Sequence, residues 1–78
     1  MVMTSNEAVI RTHQGIWNNI GGYIREKIEN ACNDGDYETR VETLLMSQGD
    51  VMRLNQLGYR VILNEKDEFP EYIINWLP

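Results

Sequence analysis

Seventy-eight residues are enough for one small domain, and 42% hydrophobic with 24% charged residues is an ordinary soluble composition. Twelve acidic against seven basic residues give a net charge of −5, which argues against nucleic acid as the main partner because phosphate binding needs a basic surface. One cysteine excludes an internal disulfide, one histidine excludes a zinc-type ligand cluster within a chain, and no apolar run approaches the roughly 20 residues of a membrane span.

The opening MVMTSNEAV has no basic segment followed by an apolar one, so no signal peptide is expected. A cytoplasmic, reducing compartment is the natural expectation. A chain this short buries only about 60% of its unfolded surface, so its stability is marginal without help.

Thr4 and Glu7 are spaced as a capping box and predict a helix start. At 100° per residue, Val9, Ile10, His13, Ile16, Trp17, Ile20, Tyr23, Ile24, Ile28 and Ala31 fall on one arc about 140° wide. Arg11, Asn18, Arg25 and Glu29 fall opposite. The stripe stays in phase across Gly21-Gly22, which favours one long helix over about residues 5–33. The two glycines cost about 1 kcal/mol each against alanine, so a bend is expected there. Asn33-Asp34-Gly35-Asp36 ends the helix.

About 28 helical residues span roughly 40 Å, whereas a compact domain of this size has a radius of gyration near 12 Å. The helix should overhang the rest of the chain and leave part of its stripe without cover. A second copy, a partner protein, or a fold-back at Gly21-Gly22 would each supply one. Val9, Ile10, His13, Ile16, Trp17, Ile20 and Ile24 are therefore the candidate protein-interface residues, with a dimer the favoured self-associated form.

Tyr37 to Leu45 alternates, with Tyr37, Thr39, Val41, Thr43 and Leu45 on one side. A strand is predicted, although Val41, Leu44 and Leu45 also fit a helical face. Ser47 with Asp50 resembles a capping box, and Val51, Leu54 and Leu57 follow at helical spacing up to Gly58. Tyr59 to Asn64 and Tyr72 to Trp76 read as two strands of a hairpin, turned at Glu65-Lys66-Asp67-Glu68, with Pro70 before the second strand.

Pairing should set Tyr59, Val61 and Leu63 against Tyr72, Ile74 and Trp76 on the helix-facing side. Arg60, Ile62, Ile73, Asn75 and Leu77 then face outward, with Ile62, Ile73 and Leu44 as a small outer apolar patch. The expected fold is α+β in a single domain over residues 1–78. A long helix precedes an α/β part at about 37–77, ordered β-α-β-β around a three-stranded sheet.

No catalytic, cofactor-binding or metal-ligating set emerges. Gly21-Gly22 lies in a helical pattern and belongs to no phosphate-binding motif. Cys32 and His13 form the one available nucleophile–base pair, but 19 residues of straight helix would hold them roughly 28 Å apart. Asp34 and Asp36 are explained by a turn. The acidic group Glu65, Asp67, Glu68 and Glu71 is explained by a solvated one.

The short helix running through Leu-Gly-Tyr-Arg-Val into a strand ending Ile-Ile-Asn-Trp, after a helix and an Asp-Gly-Asp turn, resembles small accessory proteins of tailed bacteriophages. The resemblance covers about residues 24 to 76 and rests on Gly58, Tyr59, Val61, Ile74 and Trp76; the Trp17-bearing helix stands outside it. It implies a phage origin and a compact α+β fold, and it supplies no activity.

The expectation is a non-enzymatic, cofactor-free protein-binding module that inhibits or redirects a host or defence protein by occupying its surface. A self-assembling virion or assembly component and a small-molecule-binding oligomer are the alternatives. Neither nucleic acid nor a membrane is an expected partner.

Overall fold

A computed structural model of the chain describes residues 2–65 and 68–78. The expected turn at Glu65–Glu68 includes Lys66 and Asp67, which lie outside the described residues. Helix α1 covers Ser5–Asn18 and α2 covers Gly22–Asn33. Strand β1 is Glu38–Glu42, followed by a 3-10 turn at Thr43–Leu45 and helix α3 at Gln48–Gln56. Strands β2, Arg60–Asn64, and β3, Glu71–Asn75, form the closing hairpin.

The fold is α+β, as the residue patterns predict. All strand pairs are antiparallel in the order β1-β3-β2, so β3 lies between two strands that run parallel to each other. Helix α3 makes the crossover between them.

The predicted long helix is two helices. Asn19 closes α1 by donating its backbone amide and its side-chain Nδ2 to the Gly15 carbonyl. In a continuous helix the Gly21 amide would donate to the Trp17 carbonyl. Here the Ile20 amide takes that carbonyl at 3.1 Å, and the Gly21 amide donates to Asp50 of α3 instead. The low helix propensity of Gly21-Gly22 makes this the cheap place to break.

Helices α2 and α3 both end in Schellman motifs. Asp36 donates to Ala31 and Gly35 to Cys32; in the same pattern Tyr59 donates to Leu54 and Gly58 to Asn55. The motif needs a left-handed residue, and Gly35 and Gly58 supply φ of 81° and 93°.

Strand β1 is shorter than the alternation over Tyr37–Leu45 predicts, for a reason in the sheet. Thr43 stands opposite Pro70 and donates to its carbonyl, but proline has no amide to return the bond. The Thr43 carbonyl accepts from Met46 instead, and the chain curls into the 3-10 turn.

The hairpin faces fall as expected. Val61 pairs with Ile74 and Leu63 with Tyr72 on the helix side, while Ile62 pairs with Ile73 on the outer side. The core joins Ile20, Ile24 and Ile28 to Val41, Met46, Leu54 and Ile74, with Trp17, Tyr59, Val61 and Trp76 packed around it. Arg40 on the outer face reaches diagonally to Glu71 at 2.9 Å. Such a solvated pair contributes about 0–1 kcal/mol.

Candidate functional site

Helix α1 begins where Thr4, in extended conformation, accepts the Glu7 amide on its Oγ1 at 3.2 Å. No residue of α1 is buried. Its C-terminal end lies against the body, and its N-terminal half projects past it. The molecule measures 53 × 27 × 21 Å as a result.

The seven candidate interface residues separate into three groups along this line. Val9 and Ile10 are 52% and 57% exposed, and His13 is also exposed. Ile16 and Trp17 are half-buried. Ile20 and Ile24 are 2% and 1% exposed and belong to the chain's own core, so neither is available to a partner. The break at residues 19–21 turns the second half of the apolar stripe onto the sheet and leaves the first half outside.

Where the two halves meet, the chain forms an open groove of about 450 Å³. Helix α1 contributes His13, Gln14 and Trp17. The turn from α3 into β2 contributes Leu57, Gly58 and Tyr59, and Trp76 closes the far wall beyond β3. Tyr59 and Trp76 meet edge to face, with ring centroids 5.8 Å apart and planes at 76°. This arrangement suits the ring quadrupoles and fixes the two walls relative to each other. Burial, and secondarily the negative charge Cys32 can carry, push the Tyr59 hydroxyl above its ordinary value of 10.0.

Sequence patterning assigned Leu57, Gly58, Tyr59 and Trp76 local structural duties and did not show them as one surface. Three separate segments supply the groove, and no periodicity links them.

The walls of the groove are aromatic and aliphatic, with an imidazole, a carboxamide and a phenol as polar points. Because the helix is broken, the straight-helix separation of His13 and Cys32 does not apply. The two residues line different hollows that share Trp76, and Cys32 is exposed. Among the described residues, no three His, Cys, Asp or Glu side chains gather in a way that could hold a metal ion. Among them too, no helix is long and apolar enough to cross a membrane.

On the outer sheet face Ile62 and Ile73 are cross-strand neighbours. Leu44 lies in the 3-10 turn after β1, where it lines a small hollow with Phe69 and Pro70. Both Leu44 and Phe69 are strongly exposed. Phe69 was not singled out by the sequence patterns, since it falls in no periodic run.

No family model, no curated protein and no solved structure matches this chain.

Proposed function

We propose that this chain is a protein-binding module that acts by occupying a surface of its partner, without catalysis or a cofactor. The observation that carries this reading is an exposed helix face that leads into an aromatic groove. It begins at Val9 and Ile10, which project beyond the body, and runs past His13 into the groove walled by Trp17, Tyr59 and Trp76. Tryptophan and tyrosine in a partly desolvated pocket are the residue types that most often dominate binding energy. A net charge of −5 supports a protein partner over a nucleic acid.

The resemblance to phage accessory proteins supports a target in the cytoplasm of a bacterial cell, a host or defence protein that the module inhibits or redirects. The test is affinity capture of the tagged chain from bacterial extract, with and without phage infection, alongside an Ile10→Asp variant. Recovery of one protein in stoichiometric yield by the wild type, and its loss with the variant, is the expected result. Equal recovery by both would remove this face from the reading.

A self-assembling virion or assembly component is the second reading. It is favoured by the surface that α1 leaves uncovered. Recovery of only the chain itself, or of virion components, would move the weight there.

A further inference from the structure

The area of the molecule measures how much surface the extended shape leaves uncovered. A compact monomer of 9.1 kDa exposes roughly 4,900 Å². This chain exposes 5769 Å², an excess of about 900 Å² over that expectation. A standard-size interface takes about 800 Å² from each partner. The radius of gyration, 13.9 Å against about 11.5 Å for a compact chain of this length, reports the same overhang.

The sequence of the projecting helix is suited to a copy of itself. Ile10 and Trp17 lie seven residues apart on α1, as do Val9 and Ile16 and Asn6 and His13, which is the spacing of a helix–helix seam. Of the two formally charged side chains of α1, Arg11 lies on the opposite face and Glu7, three residues before Ile10, stands at the edge of the seam; neither is a seam residue. Two chains of net charge −5 can therefore meet there without opposing like charges at the contact.

About the Val9–Ile10 bond this seam is its own mirror over the first turns of α1. An antiparallel copy centred there sets Val9 against Ile10 and Asn6 against His13, and leaves Ile16 and Trp17 opposite the segment that precedes the other copy's helix. The Asn6 carboxamide and the His13 imidazole can then satisfy each other, and polar pairs at seam positions are known to select register. In this arrangement the N-terminal end of one copy reaches the aromatic groove at Trp17 of the other.

We propose that two copies of this chain pair through antiparallel α1 helices, each N-terminal end lying on the other's aromatic groove. The pairing covers the face assigned above to a protein partner, so partner binding competes with self-association. The inference rests on α1 being a protein-binding face.

Sedimentation equilibrium of the full chain, from micromolar to hundreds of micromolar, tests the pairing. The expected mass is twice that of the chain at the upper end. Ile10→Asp should return it to one chain while leaving the circular dichroism unchanged, because Ile10 is exposed in the single copy. A one-chain mass throughout for the wild type, or a dimer indifferent to Ile10→Asp, overturns the pairing.

Register is tested by disulfide trapping in a Cys32→Ser background, mixing an Asn6→Cys chain with a His13→Cys chain. Predominant cross-links between the two different chains are expected. Predominant links between like chains overturn the antiparallel register. A monomer whose capture of a partner still depends on Ile10 would refute the dimer and leave the proposed function standing.

Discussion

The Asp50 carboxylate accepts the Gly21 amide on Oδ1 at 3.2 Å, and on Oδ2 it accepts the amide and hydroxyl of Ser47 at 3.1 and 3.0 Å. One side chain therefore caps α3 from within and satisfies the Gly21 amide at the α1–α2 junction, 29 residues earlier in the chain. Asp50 is 9% exposed, and Arg53 approaches it at 3.7 Å. This carboxylate fixes where the apolar stripe bends, and so which part of it stays outside.

Removing that carboxylate should cost more than an ordinary helix cap. Asp50→Ala deprives Ser47 of its reciprocal bond and leaves the Gly21 amide without its acceptor. The combined loss is expected at about 2–4 kcal/mol. Asp50→Asn keeps one acceptor oxygen and should lose roughly half as much. Chemical denaturation of the two variants beside the wild type measures this. A loss for Asp50→Ala no greater than for an ordinary surface substitution would show that the junction does not depend on Asp50.

The same contacts give the stability a defined acid limb. Burial, the largest influence on Asp50, would raise its pKa. The bonds from the Ser47 and Gly21 amides, the Ser47 hydroxyl and the charge of Arg53 outweigh it, and the carboxyl sits below its ordinary 3.8. A group whose pKa is lowered by folding contributes its stability above the unfolded-state pKa. That contribution disappears as pH falls through the folded-state value. The wild type should therefore lose stability relative to Asp50→Asn below about pH 4 and keep its full advantage at neutrality. Parallel acid dependence of the two proteins would contradict this account.

Much of the fold was legible because its causes are local. Ser47 and Asp50 lie three residues apart, Gly58 follows the last apolar residue of α3, and alternation alone placed Val61 and Ile74 on the buried face. The weak point at Gly21-Gly22 was legible from its glycines, but that the helix breaks there was not, since Ile20, Ile24 and Ile28 continue the phase of Val9, His13 and Trp17 across it. The acceptor that diverts the Gly21 amide comes from a distant helix. The end of β1 was hidden for the same kind of reason, because Pro70 limits a strand 27 residues before it. Val9, Ile10 and Trp17 were recognisable as apolar and helical. Which of the stripe would be core, and that Tyr59 and Trp76 would join it in a groove, depended on tertiary structure.

Tyr59 should mark the alkaline end of the stability range. Its hydroxyl is held above 10.0 by burial first and by Cys32 second, so the folded state retains its proton to higher pH than the unfolded chain does. Stability is then complete below the unfolded value and declines as pH rises toward the folded one. Tyr59→Phe should flatten that decline, and absorbance titration should lose one phenolate step above pH 10.0. An unchanged alkaline slope in Tyr59→Phe would assign the decline to another group.

Two aspartates placed ten residues apart should separate core from surface. Ile20→Asp puts a carboxylate among Ile24, Leu54 and Ile74. The desolvation cost is several kcal/mol, comparable with the whole 3–5 kcal/mol that a core of this size supplies. That variant should be unfolded, or keep a carboxyl protonated well into the neutral range. Ile10→Asp exposes its charge to water on the projecting half of α1 and should change the stability of a single copy by less than about 0.5 kcal/mol. Thermal unfolding at low micromolar concentration, where self-association contributes least, compares them directly. A folded Ile20→Asp chain with an ordinary carboxylate would mean that Ile20 is not in the core. An Ile10→Asp chain that melts as a destabilised monomer would mean that the outer half of α1 folds back onto the body, and the exposed face would no longer be free for a partner.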